Sequence, residues 1–137
     1  MVARSNDTEF QITVHRPERI IEVRYPARPN RASLDRYAQA IREAIRSMNG
    51  TWKCLVDQSA LLVVPPELTL PIAELNRWAM DHGMEITARV VRPSAISEMQ
   101  ARRIFREGGL EDRASLYTSR DEAWRSLSAP SNRLPDP

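Results

Sequence analysis

The sequence predicts one α/β domain built on a mixed, mostly parallel sheet of four to five strands, with the element order ββαβαβαβα. Three observations carry this. Two short runs near the start alternate apolar and polar residues, four later stretches place apolar residues at helical spacing, and short apolar runs that read as strands separate the helices. At 137 residues the chain suits one buried core and is too short for two ordinary domains.

Taken in order, Phe10, Ile12 and Val14 alternate with polar residues, as do Ile21, Val23 and Tyr25, and His15 to Arg19 between them is short enough for a hairpin turn. Leu34, Tyr37, Ala38, Ile41, Ala44, Ile45 and Met48 then recur at helical spacing, with Ser33 placed to cap the helix and Gly50 beyond its end. Trp52 to Asp57 reads as a strand buried on both faces, and Glu85 to Val91 has the same character after Gly83 ends a second helix. That helix is expected to be capped by Thr69, with Pro71 in its first turn and Ile72, Leu75 and Ala79 facing inward beside Trp78. A third helix is expected from about Ser97 to Glu107, opened by Ser97 and Gln100 at capping-box spacing and stopped by Gly108 and Gly109. Ala114 to Tyr117 is a last short strand, and Ser119 with Glu122 opens a final helix that packs Ala123, Trp124 and Leu127 inward. Right-handed crossovers of this length place successive strands side by side.

Composition narrows the function classes. The chain is 42% hydrophobic and 28% charged with a net charge of +2, which argues against a nucleic-acid partner. Lys53 is the only lysine among 20 basic residues, a bias that points to a GC-rich, bacterial genome. The single cysteine, Cys54, excludes an internal disulfide and suits a reducing compartment. The first residues lack the apolar centre of a signal peptide, and no apolar run approaches the ~20 residues of a spanning helix, so a cytoplasmic protein without membrane contact is expected. A flexible N-terminus (1–8), one domain (9–127) and a disordered, proline-bearing tail (128–137) complete the expected organisation.

The element order, with an amphipathic helix after an opening hairpin, resembles the STAS domains, the fold of bacterial anti-sigma-factor antagonists, and the STAS-like proteins of unassigned role. The resemblance covers about Phe10 to Leu127. Its specific pieces are Leu55-Val56-Asp57-Gln58-Ser59, similar to a hydrophobic strand ending in Asp-x-Ser, and the strand-to-helix ending Tyr117 to Leu127. The resemblance implies a regulatory or adaptor module that works through protein contact. In the phosphoregulated antagonists an Asp-Ser-x-Gly motif follows at a helix start. The corresponding stretch here, Val63 to Thr69, has no such motif, which leaves Thr69 as the hydroxyl nearest the expected helix start. Thr69 is either a simple cap or a phosphorylation site favoured by the helix dipole, and Ser59 is the second candidate hydroxyl.

Catalytic and metal chemistry find little to work with. His15 is placed in the hairpin turn, His82 at a helix end and Cys54 in an apolar strand, so no metal or other cofactor is expected. Asp57 ends a central parallel strand, where open α/β sheets put ligands and catalytic groups. No second carboxylate, nucleophile-base pair or glycine-rich phosphate loop accompanies it, and an anchor for the following loop is the simpler role. Arg102, Arg103 and Arg106 share a helical face, but Glu98, Glu107, Glu111 and Asp112 dilute it into a solvated surface.

Ala60 to Leu68 is the most unusual stretch, strongly apolar where a strand-to-helix connection is ordinarily polar. Either it folds over the domain's own core or it forms a lip facing a partner or ligand beside Asp57 and Ser59. The expected site therefore comprises Asp57, Ser59, Leu62, Val64, Glu67 and Thr69. The expected function is a non-catalytic module with a protein partner, able to form a homodimer through this loop; the alternative is a domain that binds a small apolar molecule or lipid.

Overall fold

The computed structural model describes residues 7–62 and 64–128. The segments expected to be a flexible N-terminus and a disordered tail lie outside these residues, apart from Asp7, Thr8 and Ser128. The opening hairpin forms as the alternation dictates: β1 (Gln11–His15) pairs antiparallel with β2 (Ile20–Arg24). Arg19 in its turn takes a left-handed φ of 58° and donates from its guanidinium to the carbonyls of Met48, Asn49 and Thr51. The hairpin is thereby tied to the connection that leads into β3 (Trp52–Asp57). Strands β4 (Met84–Val90) and β5 (Ala114–Tyr117) add in parallel, so the five strands lie in sequence order, β1-β2-β3-β4-β5. His15, expected in the turn, is the last residue of β1.

Three helices begin earlier than their spacing predicts, two because an upstream residue makes the better cap and one because a proline opens it. Helix α1 (Arg31–Arg46) is capped by Asn30 and not by Ser33: extended backbone at Asn30 lets its side chain accept from the Ser33 N–H while the Ser33 hydroxyl accepts from Asn30. Helix α2 (Pro66–Asp81) opens three residues before Thr69. Pro66 occupies the first helical position, where a missing N–H costs nothing, so Thr69 lies inside the helix and Pro71 further in still. Helix α3 (Ala95–Gly108) is capped by Ser94, whose hydroxyl accepts from Ser97, the expected cap; Gly109 ends it in the left-handed conformation. Helix α4 (Arg120–Ser128) starts as the sequence indicates, with Ser119 accepting from the Glu122 N–H at 3.3 Å.

Strands added in one direction by crossovers of one hand must place the intervening helices on one face of the sheet. Helices α1, α2 and α3 accordingly pack side by side over Ile21, Val23, Cys54, Val56 and Met84, while α4 alone covers Ile20, Leu55, Ala88 and Val90 on the opposite face. The nine-residue α4 is too short to shelter the whole of that second face, and Ile86 at the start of β4 stays 38% exposed. Among the described residues no helix is long and apolar enough to cross a membrane.

Candidate functional site

The residues singled out by sequence lie at the carboxyl end of β3 and along the segment that leads into α2, and the fold separates them into two groups. Asp57 ends β3 with only 7% of its surface exposed, and one carboxylate oxygen, Oδ1, accepts from both the Ser59 N–H at 3.0 Å and the Ser59 hydroxyl at 2.6 Å. Such a closed Asx turn is a loop anchor, since one carboxylate oxygen is already committed to two donors. Arg92 Nε donates to the Ser59 carbonyl at 3.0 Å and fixes the loop from the β4 side. A concavity of about 230 Å³ opens beside Ser59, walled by Glu9, Arg24 and Ala27 among others, and Asp57 is not on its wall.

The apolar stretch after Ser59 divides between core and surface. Leu61, Val64 and Leu68 turn inward and join the core under α1 to α3, whereas Leu62 stands 48% exposed. Val64 therefore belongs to the packing more than to a lip. Glu67 is exposed in the first turn of α2, and half-buried Thr69 lines a groove one turn later. Thr69 has no place at the helix end, so the dipole argument for a phosphate there loses its geometry.

That groove, about 440 Å³, lies between α2 and α3. Val64, Pro66, Thr69 and Leu70 wall one side and Gln100, Arg103, Ile104 and Glu107 the other. Leu70, Ile96 and Met99 are 56%, 64% and 62% exposed, and with Leu62 they make four of the five large hydrophobic residues left in water among the described residues. The fifth is Ile86, on the far face. Sequence reasoning missed Leu70, Ile96 and Met99. The available signal was their position: Leu70 lies off the inward stripe formed by Leu68, Ile72, Leu75 and Ala79, and Ile96 and Met99 lie off the one formed by Ala101, Ile104 and Phe105.

Beneath the loop the enclosed space shrinks to about 20 Å³ between Leu61, Val91, Ala101 and Ile104, room for one water molecule. Several titratable groups elsewhere are engaged structurally. Arg120 donates twice to the Glu22 carboxylate, His15 Nε2 lies 2.9 Å from it, and both Arg120 and His15 pack on Trp124, so this cluster clamps α4 to the hairpin. Burial would raise the Glu22 carboxyl, but the hydrogen bonds from Arg120 and His15 outweigh it and hold it below the ordinary value. His82 stacks on Trp78, and burial pushes the Cys54 thiol up to about 11, a neutral and inert group. Among the described residues no three His, Cys, Asp or Glu side chains converge as metal ligands would.

Comparison of the chain with family models, with curated proteins and with solved structures finds no match in any of the three.

Proposed function

We propose that this chain is a non-catalytic regulatory or adaptor module of STAS-like type, from a bacterial cytoplasm, that acts by holding another protein against the outer face of α2 and α3. One observation carries the reading: Leu70 stands in water on the wall of the groove, and Leu62, Ile96 and Met99 stand in water on the loop before α2 and on α3, the elements that border it. Exposed apolar surface at about 25 cal/mol per Å² is a cost that a docked partner removes, and monomeric domains seldom gather it in one place. The sequential mixed sheet and the Asp57-Gln58-Ser59 turn at the end of β3 support the STAS-like assignment. Ser59 is exposed, and a phosphate on it would set a dianion against the Asp57 carboxylate and release the loop that leads to Leu62.

The test is site-specific photo-crosslinking from position 70, with position 86 on the far face as control. A captured protein supports docking only if, once purified, it binds the wild-type chain and loses at least tenfold in affinity for a Leu70→Asp, Met99→Asp variant that remains folded. Equal affinity for both would overturn the reading.

A second reading, a carrier of a small apolar molecule, is favoured by the size of the groove, since about 440 Å³ falls within the range of ligand sites. Native mass spectrometry of freshly purified protein distinguishes it: a stoichiometric adduct supports the carrier, and a clean apo mass removes it.

A further inference from the structure

The two edges of the sheet are finished differently. Edge strands expose unpaired backbone groups, and domains ordinarily blunt them with shortness, charge, proline or a bulge. Strand β5 is four residues long and follows the charged run Glu111, Asp112 and Arg113. Strand β1 carries none of these devices. Phe10-Gln11-Ile12-Thr13-Val14-His15 holds no lysine, arginine, carboxylate, proline or glycine, and its pairing with β2 runs without a bulge.

The ladder fixes which backbone groups of β1 face outward. The Lys53 N–H donates to the Arg19 carbonyl at 3.0 Å and the Tyr25 N–H to the Asp57 carbonyl at 2.9 Å. By alternation Ile21 and Val23 turn their backbone toward β3, and Ile20, Glu22 and Arg24 turn theirs toward β1. Their partners His15, Thr13 and Gln11 close that ladder. The N–H and C=O groups of Ile12 and Val14 therefore point away from the sheet, with no partner among the described residues. Beside them a concavity of about 280 Å³ runs between Ile12 and the α1 residues Tyr37 and Ala40.

This edge is complementary to itself. In an antiparallel pair of two β1 strands centred on Thr13, Ile12 of each copy meets Val14 of the other, and every outward N–H finds an outward C=O. Thr13 meets Thr13 and Gln11 meets His15 on the face away from α1, while Ile12 and Val14 join on the face that α1 covers, so no like charges are opposed. The same register brings the exposed Arg16 of each copy beside Glu9 of the other, a carboxylate already held by Arg36. We infer that β1 pairs with β1 of a second copy, joining two five-stranded sheets into one across a two-fold axis at Thr13. Helix α1 packs on β1, with α2 and α3 beyond it, so the groove between α2 and α3 stays open and the dimer presents it twice. The inference stands apart from the proposed docking role.

Sedimentation velocity of the full chain over a concentration series, joined to amide hydrogen exchange, tests this. The wild type is expected to dimerise, with the amides of Ile12 and Val14 exchanging slowly in the dimer and fast in the monomer. Thr13→Lys and Thr13→Glu each set like charges against one another at the axis, so each alone is expected to dimerise about tenfold or more weakly, and their equimolar mixture to recover. Thr13 is exposed, and circular dichroism verifies that both variants fold. Val14→Pro is an independent check: the Val14 N–H takes no part in the β1–β2 ladder, so proline removes only the bond between copies, and a monomer is expected. If a variant unfolds, exchange at the wild-type amides decides. A wild type that stays monomeric at millimolar concentration, a dimer whose Ile12 and Val14 amides exchange as fast as in the monomer, or Thr13 variants that dimerise alone as well as the wild type overturns the inference. Leu70→Asp, Met99→Asp is expected to dimerise like the wild type; a dimer lost there would place the seam on α2 and α3 and overturn it too.

Discussion

The guanidinium of Arg89 donates from Nη2 to the side-chain oxygen of Asn76 at 3.1 Å, in the middle of the core between the sheet and α2. Arg89 is 2% exposed, sits in the row Val23, Val56, Arg89 and Leu116 across four strands, and pairs with no carboxylate among the described residues. It also donates to Thr87 Oγ1 at 3.1 Å, engages the buried Tyr25 hydroxyl and lies over the ring face of Phe105, 5.4 Å from the centroid. Asn76 Nδ2 has no hydrogen-bond partner among the described residues. A buried cation held only by neutral groups stabilises little on balance, because desolvation offsets its hydrogen bonds.

Removing one side of this pair and replacing both should therefore differ in sign. Asn76→Ala leaves the guanidinium one acceptor short and is expected to cost about 1–3 kcal/mol in urea unfolding. The double variant Asn76→Leu, Arg89→Met substitutes apolar volume for the whole arrangement and is expected to match or exceed wild-type stability. A double variant less stable than Asn76→Ala would refute this account.

The close approach of Gly83 to Gly50 allows a second comparison. A Cβ at Gly83 would lie 2.3 Å from the Gly50 carbonyl oxygen, and its φ is +104°. Gly83→Ala is thus expected to cost about 3 kcal/mol or more, combining left-handed strain with a backbone clash. Gly109 also has a positive φ, +74°, but the nearest atom to its Cβ would be Met80 Cε at 3.8 Å. Gly109→Ala carries the strain alone, about 1–2 kcal/mol, and equal melting-temperature losses for the two would show the clash is absent.

Acid should loosen α4 first. The folded Glu22 carboxyl titrates below its unfolded value, so its contribution is fully present above the ordinary carboxylate range and disappears as pH falls through the lowered folded value. Unfolding free energy measured from neutral pH downward is expected to fall more steeply for wild type than for Glu22→Gln in that window. Parallel curves would show that the Arg120 clamp is not what acid breaks.

The exposed and buried leucines on α2 separate docking from folding. Leu68 is fully buried, and Leu68→Ala is expected to cost about 2–5 kcal/mol. Leu70 is two residues away and exposed, so Leu70→Ser should stay within about 0.5 kcal/mol of wild type in denaturant titration. A large stability loss at Leu70 would mean that its side chain is part of the core and unavailable to a partner. Val64→Asp, by contrast, buries a carboxylate and is expected to unfold the domain, which makes it useless as a probe of binding.

Local chemistry along the chain determined the nine elements and their order. Alternation at Ile21 and Val23, helical spacing from Leu34 to Met48 and the serine at 119 act between near neighbours, and near neighbours are all that a sequence pattern encodes. Helix starts were less legible at Asn30 and Ser94, because several residues of capping type stood close together and only backbone geometry chose among them, and at Pro66, where α2 opens with no side-chain cap at all. Only the tertiary structure decided that α1 to α3 crowd one face and α4 alone serves the other. It also decided that Val64 turns inward while Leu62 does not, and that Leu70 on α2 and Ile96 and Met99 on α3 stay in water. The reason is physical: which apolar side chain stays in water depends on whether an element far along the chain arrives to cover it, and α3 reaches α2 only through the pairing of β3 with β4.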